Sequence, residues 1–248
     1  MTYSEEVLAD SPLHYWRLSE PGGLSIRDLG SSPQNMYVNS GAPLLGYSGP
    51  NTDGGSCYFN GSSYFQSAAQ ETQAPSLTVE AWIFQAAPPA GDSYAFSVAN
   101  FKIGTQSSTE YELGSVTGTA LVSTTVVSAA SWHHLVLLVS STALTLYLDG
   151  AFVTNLAHVS SSQTDYDYVG AGPGGGNMKG WAAECALYPS VLSAGRISAH
   201  FGAADQIAVG PTFQIGGYID PVTGALISDN SLLRAILSSV RRTFPNTP

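Results

Sequence analysis

A chain of 248 residues with 44% hydrophobic and only 10% charged side chains carries enough apolar material for one large core, which excludes a disordered chain. The formal net charge of −10 repels phosphate backbones, so no nucleic acid partner is expected, and two cysteines are too few for a disulfide framework or a cysteine zinc site. No run approaches the roughly 18 apolar residues of a membrane span, so no membrane partner is expected either.

Residues 1–16 carry Glu5, Glu6 and Asp10 where a secretory leader has a basic segment and then an apolar run, so synthesis in a cytoplasm is expected. Beyond them, period-two alternation predicts strands along most of the chain. HYWRLSE (14–20) opens the series, and SCYFNGSSYFQS (56–67) follows a loop rich in Gly, Pro and Asn. In LTVEAWIF (77–84), Leu77, Val79, Ala81 and Ile83 share one face, and Thr78, Glu80, Trp82 and Phe84 share the other. YAFSVANFKIG (94–104), YELGSV (111–116) and TALVSTTVVS (119–128) predict further strands. WHHLVLLVS (132–140) and ALTLYLDGAFVTNL (143–156) come next, the latter containing Asp149-Gly150, a dipeptide suited to the positive φ of a tight hairpin. DYDYVGAG (165–172) and GWAAECALY (180–188) close the set, separated by the loop PGGGN (173–177). Ser193 then caps a predicted short helix in which Ile197, Ala199 and Phe201 are packing residues.

The character changes at about residue 206. Residues 1–205 hold 16 acidic and 5 basic residues, whereas residues 206–248 hold 2 and 3. Asp220-Pro221 marks a turn, and a hairpin is predicted around Thr223-Gly224. Asn230 or Ser231 caps a predicted helix whose apolar stripe is Leu232, Leu233, Ile236, Leu237 and Val240, with Arg234 off the stripe and Arg241 and Arg242 at the C-terminal end. A lone helix of about twelve residues is marginal in water, so it lies either on its own sandwich or on a partner; docking on a partner is the preferred reading. Two domains are expected, 1–205 and 206–248.

Four stretches together resemble the laminin G-like/concanavalin A-like jelly-roll family: residues 7–20, 56–65, 77–83 with 132–153, and 180–201. The resemblance covers roughly residues 5–203. It implies an all-β, two-sheet antiparallel jelly-roll β-sandwich, here with a short C-terminal helical extension. It also implies a structural calcium, held in many relatives by an aspartate of the closing strand and an early loop, here around Asp28. Ala183 stands in that aspartate's place and removes one carboxylate, so no cofactor is expected and Asp28 remains as a calcium candidate.

Glucanases of this fold carry acids at i, i+2 and i+4 on one strand face. Asp165/Asp167 and Glu110/Glu112 have no third partner here, and no Gly-x-Ser-x-Gly elbow exists, so a non-enzymatic chain is expected. Adjacent His133 and His134 point to opposite faces of a strand and do not share a metal. Asp165, Tyr166, Asp167 and Tyr168, with the glycine loop 172–176, form a candidate ligand site at one rim, where carboxylates bind calcium or hydroxyls and tyrosines stack on sugars; strand filler is the alternative. Cys57 and Cys185 read as two buried thiols, with a disulfide left open.

The opening VLADSPLHYWRL resembles domains of tail and other virion proteins of bacteriophages. The function expected from it is a structural virion protein, a capsid decoration or minor tail protein. Its partners would be other virion proteins, copies of itself in a trimer, and a cell-surface glycan. A secreted bacterial carbohydrate-binding module and, after it, a glycoside hydrolase are the alternatives.

Overall fold

The computed structural model describes residues 1–87, 91–99, 101–106, 110–115, 119–122, 130–158, 162–204, 210–212, 218–219 and 226–227. Helix α1 (Tyr3–Ala9) comes first, followed by strands β1 (His14–Trp16), β2 (Ser25–Ile26), β3 (Met36–Ser40), β4 (Leu44–Ser48), β5 (Gly55–Asn60), β6 (Tyr64–Ser67) and β7 (Glu71–Gln73). The middle of the chain forms β8 (Leu77–Phe84), β9 (Ser93–Val98), β10 (Phe101–Gln106), β11 (Glu110–Ser115), β12 (Thr119–Val122), β13 (Trp132–Val139), β14 (Ala143–Leu148) and β15 (Ala151–Ala157). Then come β16 (Gln163–Asp165), β17 (Asp167–Val169), β18 (Lys179–Tyr188) and helix α2 (Ala194–Ala203).

Two large antiparallel sheets result, and β7 pairs with β16 in a separate two-stranded one. The first has the order β15-β14-β13-β8-β18-β5-β4, with β1 also paired to β18; the second has the order β12-β11-β10-β9-β17-β6-β3-β2. Leu77, Val79, Ala81 and Ile83 face the core between the sheets, with Phe59, Phe65, Phe96, Leu137, Leu146 and Val169. Trp82 and Phe84, on the other face of β8, join a separate apolar cluster with Tyr3 and Val7 of α1 and Ile197 of α2. The alternation predicted for 77–84 is therefore correct, yet every residue of β8 is buried, because helices cover the face that a half-buried strand leaves wet.

Several local expectations hold for stated reasons. Asp149 and Gly150 take φ of 50° and 74°, as a two-residue hairpin turn between β14 and β15 requires. Ser193 caps α2, its hydroxyl accepting the Arg196 N–H. Cys57 and Cys185 are buried as free thiols.

Two expectations are corrected. Residues 7–9, which open the stretch 7–20 that the resemblance matches to the family's first strand, belong to α1, where Thr2 and Glu5 form a reciprocal capping box and Tyr3 and Val7, one turn apart, bury against the first sheet. The run 56–67 is not one strand environment: β5 belongs to the first sheet and β6 to the second, so the chain crosses between sheets through residues 61–63.

Contacts divide the chain into two compact units, Met1–Thr212 and Phe213–Pro248. In the second unit, β19 (Tyr218–Ile219) pairs antiparallel with β20 (Leu226–Ile227). The predicted helix with Leu232, Leu233, Ile236, Leu237, Val240, Arg241 and Arg242 lies outside the described residues. No helix among the described residues is long and apolar enough to cross a membrane.

Where the helices meet the first sheet, the Glu80 carboxylate is fully buried and accepts from Tyr3 Oη (2.6 Å) and Tyr188 Oη (2.8 Å). His134 Nε2 lies 2.7 Å from Glu80, and His200 Nδ1 lies 3.1 Å from it, with His200 Nε2 2.9 Å from Asp10. Asp10 and Glu6 in turn hold Arg196. Burial alone would raise the Glu80 carboxyl; His200 and then His134 outweigh it and hold the group well below its usual 4.5. Burial would lower His200; Glu80 and then Asp10, opposed by Arg196, hold it above its usual 6.5.

Glu80→Ala strands these partners without their acceptor and is expected to cost about 3–5 kcal/mol in urea unfolding. Glu80 stabilises the fold fully above 4.5 and loses that contribution as pH falls through its depressed value. His200 contributes fully below 6.5 and loses it as pH rises through its elevated value. The stability difference between the protein and Glu80→Gln is therefore expected to be largest between pH 4.5 and 6.5 and to shrink on both sides, as read from denaturant titrations across pH.

Candidate functional site on the outer face of the second sheet

Residues pointing away from the core on β3, β6 and β17 fall in register. Tyr37 pairs with Gln66, and Gln66 with Tyr168, so these three side chains form one row across three strands. Tyr64 packs edge-on against Tyr168, with ring centroids 6.0 Å apart. Asn39 Nδ2 donates to Gln66 Oε1 beside them. Tyr37 is 51% exposed, and Tyr64, Gln66 and Tyr168 are half-buried. The row continues to Ser97 and Lys102, but there the face is covered. Ser97 Oγ donates to the Ala171 carbonyl and the Tyr94 N–H to the Gly176 carbonyl, so segment 171–176 lies over β9 and buries Ser97 and Tyr94.

The result is an open strip of three tyrosine rings and two amides bordered by a glycine-rich loop. Tyrosine gives rigid, amphipathic contact area at low entropic cost, and the amides give directional donors and acceptors. Lys102, beyond the loop, is taken up by Tyr94, its Nζ 2.6 Å from the hydroxyl. Burial, followed by Asp165 and Tyr64, pushes the Tyr168 hydroxyl up, so the ring presents a neutral phenol.

Of the four residues predicted to bind ligand, Tyr168 alone lies in this strip. Asp165 ends β16, where it pairs with Glu71 of β7, and its Oδ1 accepts the Tyr166 N–H. Asp167 points the opposite way from Tyr168, into the space between the sheets, and is 1% exposed. Burial pushes its carboxyl up to about 7. The glycine loop does not join the aspartates: it packs on Tyr94, whereas Asp167 pairs with Val98 at the other end of β9. Tyr37, Asn39, Tyr64 and Gln66 were missed in the sequence. Tyr64 and Gln66 alternate with core-facing Phe65 and Ser67, but the partnership with Tyr168 is made by pairing across a hundred residues.

Among the described residues, Asp28 and the closing strand around Ala183 do not fit the calcium implied by resemblance. Asp28 already accepts four hydrogen bonds, from the N–H groups of Tyr15, Gly30 and Gln34 and from His14 Nδ1. Ala183 is buried against Trp82. Glu184 beside it takes φ of 52° at a bulge, and its buried carboxylate is met by Arg17 at 3.0 Å, Asn51 and Tyr15. A guanidinium from the chain itself occupies the electrostatic place of a cation there. His133 and His134 do point to opposite faces, one to Asp149 at 2.8 Å and the other to Glu80.

A two-sheet jelly roll with one helix-covered and one open outer face defines a lectin-like sandwich. Residues 52–198, more than half of the chain, match the concanavalin A-like lectin/glucanases superfamily, and the chain belongs to it. Among solved structures it is similar to domain 4 of AbnA, a GH43 extracellular arabinanase from Geobacillus stearothermophilus, at 15% identity and a TM-score of 0.60, covering 77% of this chain and 98% of that one. It is similar to the binding domain of botulinum neurotoxin serotype D/C at 11% identity and a TM-score of 0.58, covering 79% of this chain and 53% of that one. A Trypanosoma rangeli sialidase follows at 12% identity and a TM-score of 0.57, covering 77% of this chain and 32% of that one. At these identities the likeness is one of fold, and the chain spans about half and a third of the last two. No curated protein matches the chain.

Proposed function

We propose that this protein is a non-catalytic glycan-binding domain displayed on a bacteriophage particle, as a capsid decoration or minor tail protein. The observation that carries the binding half is the open row of Tyr37, Gln66 and Tyr168, with Tyr64 and Asn39 beside it. Sugar rings offer apolar C–H faces to the tyrosines and hydroxyls to the amides. The shallow strip makes each site weak, and many copies on one particle raise the avidity. The AbnA domain was solved with arabinotriose and a neurotoxin binding domain with SialylT, which supports a carbohydrate as the ligand class.

Asp167 is buried at 1% exposure and Asp165 sits in the separate β16–β7 pairing, so the two do not stand together on an open face as an acid–nucleophile pair must, which supports a non-catalytic reading. The virion half rests on the resemblance of residues 7–18 to phage tail and virion domains, with the stripe of residues 232–240 as the contact to other virion proteins or to a trimer mate.

Multivalent protein on a glycan array is expected to bind a defined set of glycans, and Tyr64→Ala and Tyr168→Ala to weaken binding at least about tenfold, or roughly 1.4 kcal/mol each, with unchanged unfolding midpoints. Equal binding by protein and variants, or hydrolysis of a β-glucan panel, would overturn the binding reading. Capsid, portal and tail genes are expected beside this one; flanking genes for secreted polysaccharide-degrading enzymes would favour a bacterial carbohydrate-binding module instead.

A further inference from the structure

His14, Glu71 and Asp167 come from three separate parts of the chain and converge at one end of the sandwich interior. One ligand-capable atom from each lies within 4.8 Å of the other two. His14 and Asp167 are buried, at 0% and 1% exposure, whereas the Glu71 side chain keeps 24%, which leaves a path from solvent. His14 Nε2 is 2.8 Å from Glu71 Oε2. Each group is oriented from behind. Asp28 holds His14 Nδ1 at 2.6 Å, and Trp16 stacks on the imidazole with centroids 5.1 Å apart. Gln34 Nε2 donates to the other oxygen of Glu71 at 2.7 Å. The Asp167 backbone N–H is held by Ser67 Oγ at 2.9 Å.

One atom in this arrangement is unaccounted for: Asp167 Oδ1 is buried and has no hydrogen-bond partner. An orphan carboxylate oxygen in a dry site costs free energy that hydrogen bonding or a cation has to offset. The donor set, one imidazole nitrogen and two carboxylates, suits a borderline divalent ion such as Zn2+ and not calcium, which prefers an all-oxygen shell of six to eight ligands. The Asp28–His14 contact is the carboxylate–histidine pairing that fixes a ligating imidazole from its far nitrogen.

We propose that His14 Nε2, Glu71 and Asp167 form a site for a Zn2+-type divalent cation between the two sheets. The ion replaces the proton that His14 Nε2 shares with Glu71, and that proton leaves to solvent. Ligands at about 2.0–2.2 Å from such an ion stand roughly 3.4 Å apart, so His14 and Glu71 open by a few tenths of an ångström and Asp167 moves in. A water completes the shell on the side where Glu71 meets solvent. The ion thereby ties β1 of the first sheet to β17 of the second and to β7, independently of any glycan on the outer face.

The full chain, stripped with a chelator and titrated calorimetrically with Zn2+, is expected to bind one ion and to gain thermal stability. Asp167→Asn and Glu71→Gln preserve side-chain shape and are expected to weaken binding at least tenfold and abolish the thermal gain. Asp28→Asn is expected to weaken it roughly 10–100-fold. Co2+ bound to the unaltered protein gives a readout that needs no variant: an intense four-coordinate visible spectrum supports the site. A pale six-coordinate spectrum, no Zn2+ binding, equal binding by Asp167→Asn, or tighter binding of Ca2+ than of Zn2+ would overturn it.

Discussion

Everything on the helical side of the molecule depends on how one buried carboxylate is satisfied. Glu80 lies in the middle of the central strand of the first sheet, on the face that α1 and α2 cover, and has no route to water. Its acceptors are taken by Tyr3 from one helix, His200 from the other, and Tyr188 and His134 from the flanking strands. Apolar contacts alone would let the helices slide over a flat surface, because the hydrophobic effect has no direction. Four groups converging on two oxygens leave one register, and that register places α1 and α2 against each other through Arg196, Asp10 and Glu6.

The remaining polar interior follows the same rule on a smaller scale. Glu184 is met by Arg17, Tyr15 and Asn51, and Asp28 by three backbone N–H groups and His14. Each acid sits where a chain of few charges has placed a matching donor. Asp167 departs from this pattern, since its buried Oδ1 has no hydrogen-bond partner.

Strands were legible where alternation was long and unbroken. Residues 77–84, 132–139 and 143–157 appear nearly as read, because their core-facing positions are filled by Leu, Ile, Val and Ala, and Asp149-Gly150 suits the positive φ of the turn between β14 and β15. Short strands such as β2, β4 and β7 have too few residues to show a period, and α1 was hidden because only Tyr3 and Val7 of its seven residues are buried. The candidate strip was half legible. Tyr168 stands out as an aromatic beside acids, but its neighbours Tyr37, Tyr64 and Gln66 come to it only through cross-strand register. Asp167, grouped with Tyr168 by sequence proximity, points the other way, because neighbouring residues of a strand face opposite sides. His14 was read as part of a strand and given no chemistry, since its partners Glu71 and Asp167 are remote in sequence.

With α1 and α2 spread over one broad side, the sandwich is one-sided. A long polymer approaching it meets backbone and apolar side chains sealed beneath helices on one flank, and the tyrosine strip on the other. Any polymer that this domain meets therefore finds that strip of polar, aromatic side chains on one flank alone.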